Sequence, residues 1–156
     1  MTRLLYITLL LFSCCCEAQE SAPPKWKPGQ VLAEKKEDLG FGFSLIHRSI
    51  VNPPSHWEGV GHFSFVYFEK RQLCQCGRSE FSISPSGRYA LLQDGPSGKL
   101  LLFTTHLDKI SEVTKQYVGS PQSFKWDEKN RSATVAFYQG SKNGYEDAAP
   151  ISITLP

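Results

Sequence analysis

Aromatic side chains recur at every second position in the middle of the chain, and this spacing limits the fold more than any other feature. In the stretch HFSFVYF, Phe63, Phe65 and Tyr67 fall on one side of an extended backbone, and Val66 and Phe68 fall on the other. Successive side chains of a β-strand point to opposite faces, so this two-residue period predicts a strand. The same reasoning predicts strands in further stretches: GFGFSLI (40–46), EFSIS (80–84), RYALLQ (88–93), KLLLFTT (99–105), ISEVTK (110–115), SFKW (123–126), SATVAFY (132–138) and ISITLP (151–156).

Residues that favour turns separate the predicted strands. Ser-Pro-Ser-Gly at 84–87, Gly-Pro-Ser-Gly at 95–98 and Asn143-Gly144 are typical of the short turns that join hairpin strands. Asn-Pro-Pro and two glycines predict a loop within 50–61. The sequence therefore predicts an all-β fold, an antiparallel meander of about eight strands that forms a small sandwich or barrel, or a partial propeller-like sheet.

Length and charge limit the number of domains and the partners. The chain has 156 residues, of which 40% are hydrophobic, and this is enough for one core. We expect a signal peptide at 1–13, a lipidated or flexible tether at 14–38 and a single β domain at 39–156. The formal net charge is +2, which is too close to neutral to predict a nucleic-acid partner.

The N-terminus has the features of an export signal. Arg3 precedes an apolar run from Leu4 to Phe12, and this run is too short to span a bilayer as a helix. The segment Leu11-Phe12-Ser13-Cys14 resembles the lipobox of bacterial lipoproteins, with Leu three positions before the cysteine and a small residue directly before it. This resemblance implies that Cys14 carries a lipid and that the protein is a membrane lipoprotein on the periplasmic side of a bacterial cell envelope.

A second processing site competes with the lipobox. Cys16-Glu17-Ala18 fits the small-x-small pattern of ordinary signal peptidase, and cleavage there releases a soluble secreted chain that starts at Gln19. Lipidation at Cys14 leaves four thiols with three possible disulfide connectivities: Cys15, Cys16, Cys74 and Cys76. Cleavage after Ala18 leaves only Cys74 and Cys76.

The pair Cys74-Gln75-Cys76 places two thiols on one face if this segment is a strand. An exported protein reaches an oxidising compartment, so a disulfide between them is one interpretation, and two buried or unpaired thiols is another. Zinc requires about four ligands, and no second cysteine pair accompanies this one. We therefore expect no metal site and no cofactor.

Two segments of the chain repeat one another at a spacing of 43 positions. The alignment of FSISPSGRYALL with FKWDEKNRSATV pairs Phe81 with Phe124, Ile83 with Trp126, Gly87 with Asn130, Arg88 with Arg131 and Ala90 with Ala133. The stretch from 80 to 138 resembles the four-stranded blades of WD-repeat and Tol-type periplasmic β-propellers. This resemblance implies a propeller-like sheet, but about four blades are needed for closure, and the chain is too short to supply them alone.

Motifs of known catalytic chemistry are missing from the sequence. It contains no Gly-x-Ser-x-Gly elbow, no phosphate-binding glycine loop and no His-Glu-x-x-His. Near the predicted loop, His56, Trp57, Glu58 and His62 form a candidate binding surface, since exposed aromatic residues anchor many interfaces. Alternatively, Trp57 covers the end of the β core. We expect no catalytic residues.

These features lead to three hypotheses about function. The first is a non-catalytic exported protein, lipid-anchored in the envelope, that binds a protein or envelope component as an inhibitor, immunity factor or assembly accessory. The second is a small secreted metal-dependent hydrolase that uses His56, His62, Glu58 and the cysteine pair. The third is a structural subunit completed by strand pairing between chains. The sequence favours the first.

Overall fold

The computed structural model describes residues 26–52, 59–115, 119–141 and 144–156, and its secondary structure is antiparallel β apart from two 3₁₀ turns, Arg78–Glu80 and Thr105–Leu107. Within these ranges there is no α-helix, and hence no helix long and apolar enough to cross a bilayer. The strands are β1 Val31–Gly40, β2 Phe43–Val51, β3 Val60–Phe68, β4 Arg71–Gln75, β5 Phe81–Ile83, β6 Tyr89–Gln93, β7 Leu100–Thr104, β8 Lys109–Glu112, β9 Ser120–Asp127, β10 Ser132–Ser141 and β11 Gly144–Thr154.

The strands form three sheets, and each sheet is a meander of strands that are consecutive in the chain. Sheet A contains β1 to β4, sheet B contains β5 to β8, and sheet C contains β9 to β11. All neighbouring strands are antiparallel. The predicted all-β antiparallel meander is confirmed, with three open sheets and no closed barrel.

Sheet B lies between the other two and is covered on both faces. In β6, Ala90 and Leu92 pack against sheet A, while Tyr89 and Leu91 pack against sheet C. Four apolar residues in a row would be unusual on a half-solvated strand, but they suit a strand that is buried on both sides. Two hydrophobic clusters therefore hold the three sheets together, one on each side of sheet B.

Three phenylalanine rings form the centre of the cluster between sheets A and B. The ring centroid of Phe43 lies 5.0 Å from that of Phe68 and 6.1 Å from that of Phe103, and the Phe68 and Phe103 centroids are 5.1 Å apart. The Phe43–Phe103 pair is edge-to-face, the arrangement that the charge distribution of aromatic rings favours. Because Phe43 and Phe68 belong to sheet A and Phe103 to sheet B, this cluster joins the two sheets.

The turns that connect the first two strands of each sheet contact one another. Phe41, in the β1–β2 turn, lies over Gly87 in the β5–β6 turn, and a Cβ at Gly87 would overlap the Phe41 ring. Gly87 has φ +71°, so both its backbone and its neighbour require glycine. Ser86 in the same turn donates a hydrogen bond to Glu128 in the β9–β10 turn. These contacts fix the relative positions of the three sheets at one end.

Two local predictions are wrong in their boundaries. The stretch GFGFSLI was expected to be one strand, but Gly40 ends β1, Phe41 and Gly42 form the β1–β2 turn, and all three residues have positive φ. The predicted tether at 14–38 also overlaps β1, which begins at Val31, so the β structure starts before residue 39. β1 is an edge strand, and exposed charged side chains on it give no alternation that predicts a strand.

The two repeated segments occupy equivalent strands of consecutive sheets. Phe81 begins β5, the first strand of sheet B, and Phe124 lies in β9, the first strand of sheet C. Ala90 and Ala133, paired in the same alignment, are both buried in second strands. The residue with positive φ in the β9–β10 turn is Arg131, however, and not Asn130, which the alignment pairs with Gly87.

The hydrogen bond from Ser86 lowers the pKa of Glu128, since it stabilises the carboxylate. We expect Ser86→Ala to raise that pKa towards the ordinary value of a glutamate. The substitution should lower the free energy of unfolding by less than about 1 kcal/mol at neutral pH, because the pair is close to solvent. This loss of stability should vanish as the pH falls through the native pKa of Glu128. NMR titration of the Glu128 carboxyl tests this, with Ser79→Ala as the control. An unchanged Glu128 pKa in Ser86→Ala would contradict it.

Candidate functional site

Most of the predicted site residues lie where the structure gives no description. Cys14 and the three residues His56, Trp57 and Glu58 fall outside the described ranges. His62 lies in β3, and its side chain is exposed. Its Nδ1 is 3.0 Å from the Oγ of Ser49, on the neighbouring strand β2.

A second pair of the same kind lies beside the first. His47 Nδ1 in β2 is 2.9 Å from Ser64 Oγ in β3. The register pairs His47 with Ser64 and Ser49 with His62, so each strand supplies one histidine and one serine. We call His47, Ser49, His62 and Ser64 the His–Ser cluster.

The cluster follows from a tripeptide pattern that occurs once in each strand. His47-Arg48-Ser49 and His62-Phe63-Ser64 both read His-x-Ser, which places histidine and serine on one face of a strand. Antiparallel pairing then sets each histidine opposite the serine of the other strand. Of the four cluster residues, sequence reasoning placed only His62 in the candidate binding surface and considered His47 only as a contributor to a metal site. The pairing of histidine with serine was missed because it depends on the strand register.

The His–Ser cluster borders a cleft of about 180 Å³. Lys35 lines the cleft as well, and it is the register partner of His47 on β1. Glu34 and Arg48, which also contribute to its lining, form an ion pair with each other. The cleft therefore contains hydroxyl groups, two imidazoles and a lysine, all of which can hydrogen-bond a ligand.

The cysteine pair belongs to the core of the molecule. The structure joins Cys74 and Cys76 in a disulfide-like pair with their Cα atoms 5.6 Å apart, and both residues are buried in the cluster between sheets A and B. Disulfide sulfurs are not thiolate ligands for a metal. Within the described part of the chain, no three His, Cys, Asp or Glu side chains come together in a way that would hold a metal ion.

The face of sheet A opposite the His–Ser cluster is rich in apolar and aromatic residues. It lies away from sheet B, and we call it the aromatic face: Ile46, Ile50, Phe63, Phe65 and Tyr67. Ile46 and Phe65 are buried, and the other three are half-buried. The guanidinium carbon of Arg48 lies 5.4 Å from the centroid of the Phe65 ring and 5.9 Å from that of Tyr67, which is within the range of cation–π attraction.

Neighbouring side chains hold Arg48 in this position. Its Nε donates to Glu34 at 2.7 Å, and one terminal nitrogen is 3.3 Å from the hydroxyl of Tyr67. The hydrogen bond to Glu34 is the main reason why the pKa of Arg48 is raised above its already high ordinary value. Arg48 therefore presents a permanent positive charge with a fixed orientation at the aromatic face.

The outer face of sheet C is different in character. The register places Thr134 beside Lys125 and Ser152, and it places Asp127 opposite Ser132. Lys125, Asp127 and Ser152 are exposed. Polar residues on a sheet face are typical of contact with water, so the two outer faces of the stack differ, one aromatic and one polar.

Comparison of the chain with models of known protein families, with curated proteins and with solved structures finds no match to any of them.

Proposed function

We propose that this protein binds a partner protein through the aromatic face of sheet A and that it has no catalytic activity. The observation that carries the proposal is the position of Arg48 over the rings of Phe65 and Tyr67. Arginine and tyrosine are the residue types that contribute most often to binding energy at interfaces, especially at the centre of an apolar patch.

The rigidity of Arg48 supports the same proposal. A long side chain loses conformational freedom when it is immobilised at an interface, and this loss weakens binding. Glu34 and Tyr67 already restrict Arg48 in the unbound protein. A partner that presents a carboxylate or a backbone carbonyl to Arg48 therefore loses less binding energy to the ordering of this side chain.

Two other functions have less support. A hydrolase that uses Cys74 and Cys76 as metal ligands requires thiolates, and the two sulfurs form a disulfide-like pair. A subunit completed by strand pairing between chains would have to use a sheet edge such as β1. The exposed charged side chains of β1 are typical of edge strands that avoid such pairing.

The binding proposal is tested by analytical ultracentrifugation of the protein purified from the cells that produce it under gentle conditions. We expect the wild-type chain from this preparation to sediment as a complex with another protein. After it has been separated from that protein, the chain should sediment as a monomer. Arg48→Glu should dissociate the complex, whereas Arg71→Glu, on the edge strand β4 of sheet A, should not. A self-association that both variants keep would contradict the proposal.

We also propose that the protein is exported and anchored by a lipid on Cys14, which rests on the resemblance of residues 11–14 to a lipobox. The intact mass of the mature protein tests this. We expect a chain that starts at Cys14 and is heavier than its amino acids by a diacylglyceryl group and an acyl chain. A bare chain that starts at Gln19 would mean that ordinary signal peptidase cuts after Ala18, and that the protein is soluble after export.

A further inference from the structure

We propose that the His–Ser cluster together with Lys35 binds an anionic group of the phosphate or sulfate type. The side chains of the cluster belong to the face of sheet A opposite the aromatic face, although Arg48 and Phe63 also contribute to the lining of the cleft. The site is built from side chains of three adjacent strands: Lys35 from β1, His47 and Ser49 from β2, and His62 and Ser64 from β3.

Among the described residues, the site remains open because sheet A extends beyond sheet B. β2 and β3 have nine residues each, whereas β6 and β7 have five. The apolar cluster between the sheets covers Leu45 and Val66, and the next pair along the same face is His47 and Ser64. The polar residues therefore begin where the apolar contact with sheet B ends.

Each histidine has one ring nitrogen engaged and the other available. Nδ1 of His47 and Nδ1 of His62 lie within hydrogen-bond distance of serine hydroxyls, and neither Nε2 has a hydrogen-bond partner among the described residues. If the serine donates to Nδ1 of a neutral imidazole, Nε2 carries the proton. Both Nε2–H groups can then donate to the oxygens of an anion.

The charges around the cluster favour an anion over a metal cation. Lys35 has no ion-pair partner among the described residues. The nearest acidic residues of β1 are engaged elsewhere, with Glu34 bonded to Arg48 at 2.7 Å and Glu37 bonded to Arg78 at 2.6 Å. A lysine without an ion-pair partner repels a divalent cation and attracts a phosphate oxygen.

The test is an NMR titration of the full-length protein with inorganic phosphate and with phenyl phosphate, while the imidazole nitrogens of His47 and His62 are observed. We expect the Nε2 resonances of both histidines to shift with a common millimolar dissociation constant, and the spectra to show the tautomer protonated at Nε2. His106, an exposed histidine outside the cleft, is the internal control and should not shift with that constant.

Variants distinguish binding of phosphate at this site from non-specific attraction of anions to the protein surface. Lys35→Gln should weaken binding about threefold, as expected for an exposed charge, while Lys109→Gln on β8 leaves it unchanged. Replacing both histidines by valine, which favours strands, should weaken it at least about tenfold, because two hydrogen bonds are lost. If the double histidine variant does not fold, the comparison of Lys35→Gln with Lys109→Gln still tests the proposal. Equal shifts at His106, no response to phosphate, or zinc binding without a phosphate response would each overturn the proposal.

A vesicle arm identifies the source of the anion. If vesicles that contain phosphatidic acid compete with phenyl phosphate and those of phosphatidylcholine do not, the site accepts a lipid phosphate monoester. If neither type of vesicle competes, the ligand is a soluble phosphate or sulfate ester. Both results support the anion site. Lys35→Gln removes a charge that no described contact of the aromatic face uses, so in this variant loss of phosphate binding can be observed separately from loss of the partner protein.

Discussion

Replacement of Phe103 by alanine is expected to lower the free energy of unfolding by about 3–5 kcal/mol, the usual cost of removing a large aromatic side chain from a core. Phe103 is completely buried, and its ring contacts those of Phe43 and Phe68 across the boundary between sheets A and B. The cavity left by the ring cannot close easily, because both sheets are also held together at the turns formed by Phe41 and Gly87. Urea unfolding followed by tryptophan fluorescence measures the change.

Leu107→Ala is the control for this experiment. Leu107 follows β7 closely in the chain, but 56% of it is exposed, so the substitution should change stability by no more than about 0.5 kcal/mol. A comparable loss in both variants, or a loss below about 1 kcal/mol for Phe103→Ala, would contradict the packing of sheet A on sheet B.

The second large effect is expected at the aromatic face. Once the partner is identified, Arg48→Ala should weaken its binding by at least about 30-fold, which corresponds to the 2 kcal/mol typical of a residue at the centre of an interface. Glu34→Ala should have a smaller effect, because it only frees Arg48 to move. Isothermal titration calorimetry measures both.

Arg71→Ala is the matched control for Arg48. Arg71 also forms an ion pair, with Asp108 at 2.8 Å, and lies at the edge of the same sheet, but it stacks on no aromatic ring among the described residues. If Arg71→Ala lowers the affinity for the partner as much as Arg48→Ala does, the interaction depends on overall charge and not on the aromatic face. The binding proposal in its present form would then be wrong.

The central strands could be predicted from the sequence because their environment leaves a clear pattern. Alternating aromatic residues in 62–68 predicted β3, and the apolar stretches in 88–93 and 99–105 predicted β6 and β7. Burial selects apolar residues at those positions, so the sequence records it directly. The antiparallel order also followed, since the connections are too short to allow crossovers.

The edges of the sheets were harder to predict. β1 contains Glu34-Lys35-Lys36-Glu37-Asp38, and such a charged run normally predicts a solvated segment. The strand exists because its backbone pairs with β2, and a residue-by-residue pattern does not reveal that pairing. In the opposite direction, Phe41 was assigned to a strand by alternation, whereas its ring lies on Gly87 at a turn.

The candidate sites depend on register, which the sequence does not specify. Pairing His47 with Ser64 requires knowing which residues of β2 and β3 are opposite, and a shift of one residue would move the histidine to the other face. The stacking of Arg48 on Phe65 and Tyr67 depends on the same register. His62 was identified because it flanks a glycine-containing loop together with His56 and Trp57, but its partner Ser49 was not.

The aromatic face is the central claim, and site-specific photo-crosslinking tests it most directly. A photoreactive phenylalanine analogue replaces Phe63 on the aromatic face or, in a matched protein, Lys125 on the polar face of sheet C, and the cells that produce the protein are irradiated. We predict one specific cross-linked protein from position 63, lost when Arg48→Glu is added, and none from position 125. Cross-links from position 125 alone, or from position 63 to a second copy of this chain, would contradict the claim.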